Sequence, residues 1–189
     1  MRVISGTAKG RKLKAVPGEA TRPVTDRVKE AVFDIIGPNV RGARFLDLFA
    51  GTGGVGIEAL SRGAKEAVFV EKARAALDTL RFNLEHTRLA ERARVVRADV
   101  FDFLKSAPQP FEYIYVAPPQ YRDLWIAVLR ALDAQPGWLA YDGEIVVQID
   151  PREVAPIDLQ HLERIDERRY GSTLVLFLAH PETGSNEPQ

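Results

Sequence analysis

The chain has 189 residues, 46% hydrophobic and 28% charged, which suits one domain with a sizeable core. It has no cysteine, which excludes disulfides and thiol catalysis, and its three histidines (His86, His161, His180) are scattered, which argues against a metal site. Formal net charge is zero, no apolar stretch reaches membrane-spanning length, and the first residues lack the apolar segment of a secretory signal, so a cytoplasmic protein without metal or membrane is expected.

The zero average hides a basic N-terminal arm. Arg2, Lys9, Arg11, Lys12 and Lys14 all precede the first acid, Glu19. Val3-Ile-Ser and Lys12-Leu-Lys-Ala-Val16, joined through Gly6 and Gly10, predict a loose hairpin within residues 1–20. Such an arm can hold a phosphate backbone, or it can be a solvated charged hairpin. Pro17-Gly18 and Pro23 punctuate the next segment. Thr25 is placed to cap a helix with an apolar face of Val28, Ala31, Val32 and Ile35, ended by Gly37-Pro38.

A regular alternation follows. Strands are predicted at 44–49, 67–71, 93–97, 111–116 and 144–149, with helices at 54–61, 74–84, 100–104 and 121–132. Apolar strands alternating with helices predict a parallel sheet covered on both faces. Residues 159–169 and 173–179 flank Tyr170-Gly171-Ser172 with no helix between, which predicts a closing antiparallel hairpin. The polar tail, 181–189, is expected to be disordered, leaving one domain over 1–180.

The richest stretch is Phe45-Leu-Asp-Leu-Phe-Ala-Gly-Thr-Gly-Gly-Val-Gly56. A strand ends near Asp47, and a glycine turn opens a helix. Gly51, Gly53 and Gly56 spell G-x-G-x-x-G, and Glu71 ends the next strand, as in a dinucleotide fingerprint. Two facts oppose a nicotinamide cofactor. The chain has no room for a second, substrate-binding domain, and Asp47 before the turn would repel a pyrophosphate.

S-adenosylmethionine fits better, with a cationic methionine end and no phosphate. Asp47 would face that end, Glu71 would accept the ribose hydroxyls, and Asp99 would accept from the adenine amine while the Val100 N–H serves a ring nitrogen. Phe49, Thr52 and Lys72 complete this candidate set. In the alternative reading Asp47 caps the following helix, and Glu71 and Asp99 are ordinary loop acids.

These residues resemble the cofactor half of class I methyltransferases. Arg2-Val-Ile-Ser-Gly, Gly10-Arg-Lys-Leu, Arg22-Pro-Val-Thr-Asp-Arg-Val-Lys-Glu-Ala-Val-Phe33, Leu60-Ser-Arg-Gly-Ala64 and Tyr170-Gly-Ser-Thr173 narrow the likeness to the RsmD group of 16S ribosomal RNA guanine-N(2) methyltransferases. The resemblance implies an α/β, Rossmann-like, seven-stranded sheet with an antiparallel last strand. It also implies methylation of a guanine amino group in the small ribosomal subunit. The arm then contacts RNA, through Arg2, Lys9, Arg11, Lys12 and Lys14 together with Arg27, and Arg22, Thr25, Asp26 and Arg27 lie near the cofactor and the target base. A monomer is the default expectation.

After its fourth strand this family has Asp or Asn, two prolines and an aromatic. Here the chain reads Ala117-Pro118-Pro119-Gln120-Tyr121. The prolines are in place, Ala117 has no polar atom, and the aromatic comes one residue late. Gln120 could supply the missing acceptor while Tyr121 stacks on the base. Backbone carbonyls of Ala117 and Pro118 could suffice. Or the domain could bind cofactor and RNA without methylating. Trp125 could extend an aromatic platform or pack in the core.

Overall fold

A computed structural model describes residues 1–16, 25–120 and 123–181. Arg22, Tyr121 and residues 182–189 of the tail lie outside the described residues. The strands are β1 (Arg44–Leu48), β2 (Glu66–Glu71), β3 (Ala93–Arg97), β4 (Phe111–Val116), β5 (Leu139–Ile149), β6 (Glu163–Tyr170) and β7 (Thr173–Ala179). The helices are α1 (Asp26–Ile36), α2 (Gly54–Ser61), α3 (Arg74–Thr87), α4 (Val100–Leu104) and α5 (Leu124–Asp133).

One seven-stranded sheet has the order β3-β2-β1-β4-β5-β7-β6. β1 to β5 are parallel, and β7 runs antiparallel to both β5 and β6. The reversed strand is therefore last in the chain but inserted one place from the sheet edge. The edge strand β6 is mostly exposed, charged, and carries a register shift between Arg164 and Asp166. Charges and a bulge on an edge discourage pairing with another chain.

Two cores cover the sheet faces. One unites α1, α2, α3 and the arm with Phe45, Phe69, Tyr113, Tyr115 and Val146. The other unites α4 and α5 with Leu46, Val68, Ile114, Val116 and Val147. Alternate residues of one strand thus serve opposite layers, which is why these strands read as continuous apolar runs.

Several boundaries differ from expectation for physical reasons. α1 buries Val28, Lys29, Val32, Phe33 and Ile36, while Ile35 is 41% exposed. The apolar face is turned by one residue because Phe33 stacks on Phe45. α5 begins at Leu124 rather than 121. β5 begins five residues early, and its register with β4 shifts between Phe111 and Tyr113. Gly143 absorbs the shift, since a Cβ there would lie 2.9 Å from the Glu112 carbonyl oxygen. β6 starts at Glu163, not 159, because the Gln160 and His161 N–H groups donate to the Asp133 carboxylate at 2.9 and 2.7 Å. Trp125 is 1% exposed in the α5 core, so it offers no platform.

The arm is a short antiparallel hairpin, tightly packed rather than loose: the Val3 N–H donates to the Arg11 carbonyl oxygen at 2.9 Å and the Leu13 N–H to the Met1 carbonyl oxygen at 3.1 Å. Arg2 and Lys12 form its isolated bridge, and Val3, Ala8, Leu13 and Val16 are buried. Gly6 has φ +82°, and a Cβ there would fall 1.8 Å from the Ser61 carbonyl oxygen. Only glycine allows that approach of the arm to α2. The Glu58 carboxylate accepts from Ile4 and Ser5 N–H at 2.8 and 3.0 Å. Lys29 Nζ lies 3.2 Å from Glu58 and donates to the Arg2 carbonyl oxygen at 2.6 Å, and the Lys29 and Glu58 side chains are fully buried.

Candidate active site

The sheet order reverses between β1 and β4, both reached from the middle outward. In open α/β sheets ligands bind at the carboxyl edge beside such a switch. The glycine loop after β1 and the 117–120 loop after β4 flank it here, and the loops after β2 and β3 complete the edge.

The glycine loop is held by backbone geometry. Phe49 has φ 83°, an unusual value for a residue with a Cβ, and the N–H groups of Phe49 and Ala50 donate to Val70 O at 3.2 and 3.0 Å. Gly51 and Gly53 take φ values of 53° and 84°. At Gly56 the requirement is space: a Cβ would lie 2.3 Å from Phe69 Cε1 on β2. These positions serve the turn and the close helix–strand packing of the fingerprint.

Asp47 is 3% exposed, and its Oδ2 accepts from the Gly56 N–H at 3.1 Å. The carboxylate thus sits at the N-terminus of α2, where that helix end favours negative charge. Burial nevertheless pushes its carboxyl up to about 7, the Gly56 bond opposing and the Glu71 charge assisting. Glu71 ties the loops together. One oxygen accepts from Gly51 N–H at 2.9 Å, the other from Lys72 and Ala73 N–H at 2.8 Å each. Asp99 caps α4 by accepting from Phe101 N–H at 3.0 Å and lies 3.3 Å from Lys72 Nζ. The Phe101 N–H bond, and then Lys72, hold its carboxyl below the usual carboxylate range. Val100 is buried in the first turn of α4. The three acids therefore stand at one edge, each with local backbone bonds as well.

A cleft of about 210 Å³ opens on the α1 side of this edge. It is lined by Thr25, Arg27, Gln120, Gln148 and the 170–173 turn, among others. Residues scattered over the sequence, from the α1 cap to the last hairpin, meet there. Thr25 Oγ1 also caps α1, accepting from Val28 N–H at 3.3 Å. Ala117 packs its methyl against the α1-side core, and Pro119 and Gln120 are exposed.

The arm's cations divide into two groups. Arg2 lies by Asp26, Arg11 donates to the His86 carbonyl oxygen, and Lys14 Nζ stands 3.5 Å over the Phe82 ring. Lys9 and Lys12 are exposed and have no ion-pair partner among the described residues. Sequence reasoning missed three features: the Lys29–Glu58 pair, Gln148, and Asn83. Asn83 is fully buried; its Nδ2 donates to the carbonyl oxygens of Lys14 and Thr52 at 3.1 and 3.0 Å, linking arm, α3 and glycine loop. Its signal was a polar residue on the apolar stripe of Ala76, Leu77, Leu80 and Leu84. Among the described residues no cluster of metal-ligating side chains occurs, and no helix is long and apolar enough to cross a membrane.

Comparison with known proteins gives the family. Residues 1–179 match the family model described as "Conserved hypothetical protein 95". The chain is 38% identical over 156 residues to Ribosomal RNA small subunit methyltransferase D of Escherichia coli, covering 82% of this chain and 78% of that protein. It belongs to the ribosomal RNA small subunit methyltransferase D family. The YlbH protein of Bacillus subtilis is 43% identical over 178 residues, covering 93% and 96% of the two chains. The solved structure of the yhhF protein of Escherichia coli superposes with a TM-score of 0.85 at 34% identity, covering 95% of this chain and 97% of that one. The class I methyltransferase fold expected from the sequence is the fold observed, with its reversed strand.

Proposed function

We propose that this protein transfers a methyl group from S-adenosylmethionine to the exocyclic 2-amino group of a guanine in 16S ribosomal RNA. Membership of the family makes it an S-adenosylmethionine-dependent ribosomal RNA methyltransferase. Guanine as target, the small subunit as partner, action as a monomer and a cytoplasmic site belong to the proposal. The observation that carries the reading is the cleft beside the Pro118-Pro119 loop, opening at the same sheet edge as the three acids.

The donor set suits the cofactor. S-adenosylmethionine supplies a methyl group on a positively charged sulfur. The buried Asp47 carboxylate favours a cationic ligand end over a pyrophosphate, which counts against a nicotinamide cofactor. Glu71 and Lys72 would meet the ribose, and Asp99 with the Val100 N–H the adenine. Phe49, Gly51, Thr52, Gly53 and Gly56 shape the wall, with Thr25 at the entrance.

The target amine is a weak nucleophile because its lone pair is delocalised into the ring. Carbonyl oxygens of Ala117 and Pro118 can hold an amino hydrogen and aim the lone pair, while Pro119 and Gln120 line the base's approach. This is catalysis by placement and electrostatics, with the base out of its stack. Arg2, Lys9, Arg11, Lys12, Lys14 and Arg27 would hold RNA phosphates.

Ala117 favours one competing reading, a module that binds cofactor and RNA without transfer. Incubation with labelled S-adenosylmethionine and unmodified 30S subunits, followed by nucleoside mass spectrometry, separates the two. N2-methylguanosine at one site in 16S RNA is expected. Tight cofactor binding without label would reject the proposal in favour of the binding module.

A further inference from the structure

The family motif loses its side-chain acceptor at Ala117, and the fold offers another within reach. β4 and β5 pair in parallel with Tyr115 opposite Val146 and Val116 opposite Val147. Continuing that register sets Gln148 beside residue 117. Tyr115 and Val146 both face the α1-side core, and Ala117 packs against it, so strand alternation sends Gln148 to the same face. The Gln148 side chain reaches the cleft, where it lines the wall with Gln120, Arg27 and Thr25.

The two glutamines differ in how they are held. Gln120 is exposed on its loop, whereas Gln148 is half-buried on a central strand. The Tyr115 hydroxyl donates to Gln148 Oε1. Tyr115 is itself 2% exposed. Burial, and then the Asp47 charge, raises its hydroxyl far above the usual range, so it stays protonated and remains a donor. A carbonyl oxygen has two lone pairs, so one on Oε1 remains for an N–H of a ligand. A fixed acceptor needs no reorganisation at the moment of reaction, unlike one on a loop.

We propose that the cleft between α1, the 117–120 loop and the 170–173 turn receives the extruded guanine, and that Gln148 Oε1, locked by Tyr115, accepts the amino hydrogen that the Ala117 side chain cannot. The inference rests on the guanine reading above. In the reaction the amino nitrogen forms a bond to the methyl carbon while the carbon–sulfur bond breaks. The electron pair of that bond goes to sulfur, leaving a neutral thioether, and the surplus proton leaves nitrogen for water. Gln148 takes no proton; it orients the amine. Tyr115 acts through Gln148 and is a positioning residue.

The test uses the full chain, 30S subunits lacking the modification, and S-adenosylmethionine. Nucleoside mass spectrometry of the wild-type product comes first: a product other than N2-methylguanosine refutes the guanine reading whatever Gln148 does. With that product established, Gln148→Ala should lower kcat on the order of 100- to 1,000-fold, as loss of one fixed transition-state contact does. Calorimetric affinity for S-adenosylmethionine should stay near wild type, and the melting temperature should fall only by what one unpaired Tyr115 hydroxyl costs. Ala117→Asn, which returns an amide to the family position, should restore at least a tenth of the lost rate in the Gln148→Ala background. Tyr115→Phe should lower kcat while leaving KM for the subunit unchanged. Wild-type turnover by Gln148→Ala overturns the proposal. So does a Gln148→Ala loss that tracks lowered melting and cofactor affinity and is not rescued by Ala117→Asn, or a larger kcat loss in Gln120→Ala.

Discussion

Replacing Lys29 with Met probes how the N-terminal arm is fixed to the rest of the domain. Lys29 and Glu58 are fully buried and 3.2 Å apart. Removing the ammonium leaves the Glu58 carboxylate in the core, and breaking a buried pair by deleting one partner costs about 3–5 kcal/mol. Arg62 Nε stays at 2.8 Å from Glu58, and the Ile4 and Ser5 N–H bonds persist, so part of the charge remains compensated. The Arg2 carbonyl oxygen loses its donor as well. We therefore expect the lower end, about 3 kcal/mol, which at a urea slope of about 2 kcal/mol/M lowers the midpoint by about 1.5 M. The double variant Lys29→Met/Glu58→Gln should lose less than the single one, because the amide strands no charge, although its one oxygen keeps only one of the Ile4 and Ser5 bonds. Urea unfolding followed by circular dichroism measures both. A single-variant loss below about 1 kcal/mol, in the range of exposed pairs, or a double-variant loss equal to the sum of the singles, would refute the reasoning.

The other predictions concern the site and the arm. Asp47 has a folded-state value of about 7, above its ordinary 3.8, so the native state holds the extra proton between them and this group's contribution to stability falls as pH rises through that window. The melting-temperature advantage of Asp47→Asn over wild type should therefore grow from about pH 5 to about pH 8; parallel profiles in scanning calorimetry would contradict it. Gly56→Ala drives a methyl against Phe69 at 2.3 Å; overpacking should cost about 1–3 kcal/mol, partly recovered by adding Phe69→Leu, as read by thermal unfolding. Replacing both Lys9 and Lys12 with Ser should flatten the slope of log RNA affinity against log salt by about 1.5 if each neutralises one phosphate; an unchanged slope in filter binding would remove them from the RNA interface.

Much of the fold was legible because its signals are local. The ends of β3, β4, α2 and α4 follow from apolar runs, glycine turns and the Asp99 cap, all within a few residues of the boundary they set. Boundaries were missed where a distant group intervened. Asp133 takes the N–H groups of Gln160 and His161 away from β6, and the bulge beside Gly143 lets β5 start early. The α1 face was misjudged because a lysine, Lys29, is buried on it. A charge inside looks like a solvated position until its partner, Glu58, is seen across the packed layer.

By itself the sequence determined the strand–helix alternation, the glycine loop after β1 and the acids at successive strand ends, hence the family. Each depends on neighbouring residues sharing one backbone geometry. The tertiary structure alone decided the burial of Lys29 against Glu58, the anchoring of the arm on α2, and the cleft that joins Thr25, Arg27, Gln120 and the 170–173 turn. It also placed Gln148 beside Ala117. Those pairings depend on strand register and order, which bring together residues tens of positions apart and which no local pattern encodes.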